Sequence, residues 1–174
     1  MNYSLQNIYT SQEIQDCIDI YNTLPANPMI QSYNLFHVDI RTSSHNPAYQ
    51  SLNNFMMSNH PDLNLKPLEP YYVMYESESF TAMHYDIKST LTCVTLLEDN
   101  DLVGGETIVM SFYEPKDMED AGIEGHEHVD ANNYITPEIV QWQPGQTLMY
   151  GQNLPHGVSK VISGHRLVLV QWFV

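Results

Sequence analysis

His84, Asp86 and His156 are the side chains of this sequence best suited to hold a metal ion together, and Arg166 follows the last of them. Alternate residues of an extended strand share a face, so His84 and Asp86 point one way while Tyr85 points the other. The pair forms a claw, and the second imidazole from His156 completes three positions of an octahedron. Three positions stay open, the arrangement in which non-haem Fe(II) takes a chelating co-substrate and dioxygen on one face. A guanidinium such as that of Arg166 supplies the fixed charge that holds an acidic co-substrate. Singly, each residue has a plainer reading. A His-x-Asp pair is common on strands, a histidine in a Pro-His-Gly turn usually satisfies a loop, and an arginine is usually a surface charge. Order and spacing together point to a metal centre.

The elements that must position these groups are a helical start followed by short strands. Thr10-Ser11-Gln12-Glu13 forms a capping box, and Ile14, Cys17, Ile18, Tyr21 and Leu24 then fall on one helical stripe that Pro25 stops. Asn46-Pro47 reads as a cap with proline at the first helical position, and Tyr49, Leu52, Phe55 and Met56 form a second stripe ending before His60-Pro61. Both stripes require a surface to pack on. Strand signals follow at 71–75, 91–97, 107–112, 139–142, 147–150, 157–162 and 167–174, separated by Gly, Pro, Asn and Asp clusters. A flat hairpin about Ser163-Gly164 would leave His156 about 20 Å from the turn at ~3.3 Å per residue, too far for a small diacid to span. A chain that crosses between two sheets at the Gly164 corner instead sets His156 and Arg166 across a gap of about 10 Å. The expected fold is therefore mainly β with helical support (α+β), a jelly roll backed by N-terminal helices. Residues 1–174 read as one domain, with 1–70 as helical support and 71–174 as the jelly-roll core. Residues 113–137 break the strand rhythm with many acids against Lys116 and read as a solvated insertion. No internal repeat is evident.

Composition narrows the possible partners. The chain has 174 residues and a formal charge of −15, from 21 acidic and 6 basic residues. Phosphate binding draws on clustered Lys and Arg, and here the bases are scattered singly, which argues against nucleic acid. Cys17 and Cys93 suit a reducing compartment better than a disulfide framework. The sequence shows no signal-peptide pattern and no apolar run long enough to span a membrane, so a soluble cytoplasmic protein is expected. Nothing in the sequence fixes the oligomeric state.

Five segments appear in a telling order. His84-Tyr85-Asp86, Gly104-Gly105-Glu106-Thr107, Pro144-Gly145-Gln146-Thr147-Leu148-Met149-Tyr150, His156-Gly157-Val158 and Gly164-His165-Arg166 together resemble the Fe(II)/2-oxoglutarate-dependent dioxygenases, in particular the prolyl 4-hydroxylase-like branch. The resemblance covers about residues 71–174. It implies a double-stranded β-helix in which His84, Asp86 and His156 serve as catalytic iron ligands and Arg166 binds the far carboxylate of 2-oxoglutarate. It places Tyr75 where a phenol often reaches the co-substrate. Implied cofactors are Fe(II), 2-oxoglutarate and O2, with ascorbate as an optional reductant. The implied reaction is hydroxylation of an unactivated C–H bond, with succinate and CO2 as co-products. Departures from the family pattern are Glu78 and Thr81, in place of a glycine and a second tyrosine, and Leu96, where another tyrosine helps hold 2-oxoglutarate.

The resemblance implies peptidyl proline as substrate, with a free amino acid or other small metabolite as the alternative. A nucleic-acid-demethylating role is disfavoured by Trp172, which stands where that branch has a second arginine, and by the net charge. A non-catalytic jelly roll that binds a metal or an acid is a further alternative, and the intact ligand set argues against it. His126-Glu127-His128 lies in the acidic insertion and reads as a solvated loop, while His37, His45, His60 and His165 form no metal pattern.

Overall fold

The structure, a computed structural model, describes residues 3–26, 28–30, 36–62, 64–86, 88–112 and 134–174. Most of the acidic insertion expected at 113–137, including His126, Glu127 and His128, lies outside the described residues; its final residues belong to a strand.

Helix α1 (Ser11–Thr23) begins at Thr10, whose side chain accepts from the Glu13 amide while the Glu13 carboxylate accepts from the Thr10 amide. This reciprocal cap satisfies donors that a helix start leaves unpaired. The chain leaves the helix at Leu24, before Pro25. Helix α2 (Tyr49–Asn59) starts later than Asn46-Pro47 suggested. The Asn46 side chain instead accepts from the Ala48 amide and donates to the Tyr9 phenol, so residues 46–49 form a tight turn ahead of the helix. Among the described residues no helix is long and apolar enough to cross a membrane.

All strand pairs are antiparallel, in the order β1-β9-β6-β11-β4-β3-β5-β10-β7-β8, with β2 (Pro28–Ile30) added beside β3. The major half comprises β1 (Tyr3–Asn7), β9 (Gln146–Gly151), β6 (Leu91–Gly104), β11 (Val161–Phe173), β4 (Tyr71–Tyr75) and β3 (Phe36–Thr42). The minor half comprises β5 (Phe80–His84), β10 (His156–Val158), β7 (Thr107–Phe112) and β8 (Tyr134–Ile139). Strand β3 joins them, pairing with β4 along one stretch and with β5 at Phe36 and His37. The sheet thus curls over a cavity as a jelly roll. On β11, Leu167, Leu169 and Phe173 pack outward, where Cys17 and Tyr21 of α1 and Leu52 and Met56 of α2 cover them. Each such side chain contributes about 1.5–3 kcal/mol when fully buried. Residues of opposite parity, Arg166, Val168, Val170 and Trp172, line the cavity.

Several boundaries depart from expectation. The expected strand at 157–162 is two strands, because β10 pairs with β5 and β7 while β11 pairs with β6 and β4. The chain therefore crosses between the halves at Ser159-Lys160, and the apolar run Val158, Val161, Ile162 conceals the break. Gly164 is not that corner. It sits in a bulged stretch of β11, at φ +73°, where a Cβ would lie 2.3 Å from the Asp101 carbonyl oxygen. The expected strand at 139–142 lies earlier, as β8, an edge strand that tolerates Pro137 in its ladder. Val140 looked strand-like because it is buried against Val109 and Leu148, not because it belongs to a ladder. Strand β6 continues to Gly104, and β1, β2 and β3 gave no signal strong enough to read from sequence.

Candidate functional site

His84 closes β5 and His156 opens β10, and the two are cross-strand partners with ring centroids 4.3 Å apart. Asp86 follows two residues past the end of β5 yet keeps the alternation that turns it to the same side. His84 Nε2 lies 3.5 Å from Asp86 Oδ1, and His156 Nε2 lies 3.6 Å from Asp86 Oδ2. The ligand atoms of all three buried residues lie within 4.8 Å of one another, a cluster that could hold one metal ion. The sequence-derived triad is thus brought together.

The chemistry of these donors suits a divalent cation. Carbonyl oxygens only accept, so His84 Nδ1 donates to the Ala82 carbonyl at 2.8 Å and His156 Nδ1 to the Leu154 carbonyl at 3.0 Å. A neutral imidazole fixed this way carries its lone pair on Nε2, the atom each ring presents to Asp86. Burial, partly opposed by Asp86, pushes the His156 pKa down to about 4. Burial also works to raise the Asp86 carboxyl, but His156, His84 and a hydrogen bond from Thr92 more than reverse this and bring it to about 2. At neutral pH the cluster therefore contains a carboxylate and a neutral His156. The donor set fits Fe(II).

Arg166, 3% exposed, points into the same cavity of about 580 Å³. Its Nη1 donates to the Gly105 carbonyl at 2.6 Å and to the Thr107 hydroxyl at 2.9 Å, while Nε has no partner among the described residues. No carboxylate forms an ion pair with it among those residues. The guanidinium lies 5.0 Å from the Tyr75 ring and 5.3 Å from the Trp142 ring. Burial lowers its pKa, but an arginine remains charged. A buried cation with no matching anion is costly, and an incoming carboxylate would relieve that cost. The Tyr75 phenol hydrogen-bonds Thr81 at 2.9 Å, so in this structure tyrosine and threonine together form the wall near Arg166. Glu78, where the resemblance led one to expect glycine, has a left-handed φ of +74°. Leu96 is buried, and a smaller cavity of about 220 Å³ that also reaches Arg166 is partly lined by it. His165 lies within β11, with Nε2 3.1 Å from Glu98 Oε1.

Sequence reading did not single out Thr92, Thr107, Trp142 and Tyr150. Thr92 lay in an expected strand, Thr107 and Tyr150 ended segments that carry the resemblance with no role of their own, and Trp142 sat in a run taken for a strand. Their order in the chain carried no signal of what they meet across the cavity. Tyr71 and Trp172 meet edge-to-face at 5.8 Å on the cavity wall, so the position of the second arginine in the demethylating branch presents an indole instead.

No family model matches the sequence, and no curated protein matches it. Solved structures do match in fold. An oxidoreductase of the 2OG-Fe(II) oxygenase family from Burkholderia pseudomallei has a TM-score of 0.70 at 15% identity, covering 99% of this chain and 85% of that one. A prolyl hydroxylase from Trichoplax adhaerens, in complex with a hypoxia inducible factor peptide fragment, has a TM-score of 0.67 at 12% identity, with coverages of 99% and 83%. HygX from Streptomyces hygroscopicus, with nickel, 2-oxoglutarate and hygromycin B bound, has a TM-score of 0.66 at 14% identity, with coverages of 99% and 82%. The chain has the fold shared by 2OG-Fe(II) oxygenases and prolyl hydroxylases, with a His-Asp-His cluster in its cavity.

Proposed function

We propose that this chain is an Fe(II)- and 2-oxoglutarate-dependent oxygenase that hydroxylates a C–H bond of a peptidyl proline, with residues 1–174 as one catalytic domain in a reducing cytoplasm. One observation carries the reading: three metal-ligand atoms within 4.8 Å of one another share a cavity with a buried arginine that has no acidic partner among the described residues. His84, Asp86 and His156 would hold the iron. Arg166 would hold the far carboxylate of 2-oxoglutarate, and Thr107, already accepting from Arg166, keeps its hydroxyl hydrogen for the same carboxylate. The rings of Tyr75 and Trp142 fix the guanidinium plane and exclude water from it. When bound, iron and 2-oxoglutarate supply the oxidising chemistry, in which dioxygen is consumed, succinate and CO2 form, and one oxygen atom enters the substrate.

The cavity supports a neutral substrate group. Its charged liners are His84, Asp86, His156 and Arg166, all assigned to metal and co-substrate, and the remainder is largely apolar, including Val38, Ile40, Tyr71, Val94, Val170 and Trp172. A free amino acid would bring an ammonium and a carboxylate into this wall with nothing described there to pair them. A prolyl ring within a peptide is neutral. The prolyl hydroxylase neighbour with a bound peptide agrees with this reading, and HygX with hygromycin B keeps a small-molecule substrate as the second one. The test is substrate-stimulated succinate release from Fe(II)-loaded protein, comparing proline-containing peptides with free proline and other amino acids. Stimulation by peptides is expected; stimulation by free amino acids alone would overturn the substrate assignment. Absence of Fe(II) and 2-oxoglutarate binding would overturn the reaction class.

A further inference from the structure

The Tyr150 phenol is 4% exposed and reaches the ligand cluster from the opposite half of the sheet. Its oxygen lies 3.1 Å from Asp86 Oδ2 and 2.9 Å from His156 Nε2. A second hydroxyl, that of the buried Thr92, donates to the same Asp86 Oδ2 at 2.8 Å. Thr92 on β6 and Tyr150 on β9 are cross-strand partners, so one rung of the major half sends two hydroxyls across the cavity to one oxygen atom. Asp86 Oδ1 stays on the side of His84 Nε2.

We propose that Tyr150 and Thr92 are positioning residues that restrict Asp86 to ligation through a single oxygen; this rests on the iron and 2-oxoglutarate reading given above. The argument is a count of coordination positions. A carboxylate binding through one oxygen and two imidazoles occupy three of six positions, leaving two for a chelating co-substrate and one for dioxygen. A carboxylate that chelates with both oxygens takes a fourth, and dioxygen then competes with the co-substrate. Two hydrogen bonds to Oδ2 oppose chelation by satisfying its lone pairs. The one hydroxyl hydrogen of Tyr150 can go to the His156 Nε2 lone pair or to Asp86 Oδ2, and with a metal on Nε2 it goes to Oδ2. Neither residue contacts the proposed carboxylate anchor, so the effect is separable from that of Arg166.

The experiment uses the full chain and Co(II) as probe under anaerobic conditions, with Tyr150→Phe, Thr92→Val, Thr92→Ser and the Tyr150→Phe/Thr92→Val double variant. Three quantities are measured: the Co(II) dissociation constant, the visible d–d absorption, and the change in that absorption on adding 2-oxoglutarate. Tyr150→Phe is expected to weaken Co(II) binding by roughly 10-fold. Its d–d bands should differ from those of the wild type, because the second carboxylate oxygen displaces a solvent ligand. Thr92→Val should shift both measurements in the same direction, and Thr92→Ser, which keeps the hydroxyl, should restore wild-type values. The double variant should differ from the sum of the single effects, since both act on one atom. Wild-type affinity and an unchanged spectrum in both Tyr150→Phe and Thr92→Val overturn the proposal. Should Tyr150→Phe fail to fold, the Val and Ser variants at position 92 decide it by the same criteria. Failure of the wild-type protein itself to bind Co(II) or Fe(II) overturns the underlying reading instead, so the two failures are distinguishable.

Discussion

Replacing either imidazole, as His84→Ala or His156→Ala, removes one of three ligand atoms and leaves Asp86 with a single imidazole. Iron retained after desalting should fall to background, and Fe(II)-dependent succinate production should disappear with it. Arg166→Ala removes the buried cation of the cavity, the proposed anchor of the co-substrate. Loss of a buried charge pair costs about 2–5 kcal/mol, so the KM for 2-oxoglutarate should rise by roughly 100-fold while kcat changes less. Thr107→Val, losing a hydroxyl beside the same anchor, should raise that KM by only about 5- to 10-fold. The metal-free protein has its own pH signature. Unfolded, His156 takes up a proton near 6.5; folded, burial delays this until about 4. Between those values the unfolded chain binds more protons, so stability should fall as pH drops through that window, by on the order of 3 kcal/mol for this residue. Urea unfolding of metal-free protein at a series of pH values measures it, and saturating metal should raise the stability and carry the fall to still lower pH, because bound metal also keeps folded His156 unprotonated.

Strands place these residues, and Gly164 shows how narrowly. Its left-handed φ and the carbonyl 2.3 Å from any added Cβ leave no room for a side chain, and the bulge it forms sets which β11 residues face the cavity. Gly164→Ala should destabilise the protein by about 2 kcal/mol or more and raise the 2-oxoglutarate KM through a misplaced Arg166, both measurable on the one variant. Local chemistry made some elements readable in advance. Helix α1 declares itself through Thr10, Glu13 and Pro25, and the His84-Asp86-His156 cluster through residue type and order. What stayed hidden depends on partners distant in sequence. The crossing at Ser159-Lys160 is defined by which strands β10 and β11 pair with, and Val158 and Val161 are apolar on both sides of it. Trp142 and Tyr150 look like sheet formers until the curl brings them to Arg166 and Asp86.

At the scale of the molecule, the field of a −15 chain acts on whatever approaches the cavity. Prolyl peptides flanked by lysine should show kcat/KM falling as ionic strength rises from low to physiological values, and peptides flanked by aspartate should show the opposite trend. Turnover by a salt series on the two peptides checks this, and identical slopes would argue against long-range steering. The curl has one more effect, through Trp142 and Trp172, the chain's 2 tryptophans, which both line the cavity, one 5.3 Å from the Arg166 guanidinium and the other against Tyr71. Tryptophan fluorescence, excited selectively at the red edge of the aromatic absorption, therefore comes entirely from the chamber itself. With Trp172→Phe the remaining emission follows the diacid end, and with Trp142→Phe it follows the opposite wall, so the protein arrives already labelled for watching each ligand settle in turn.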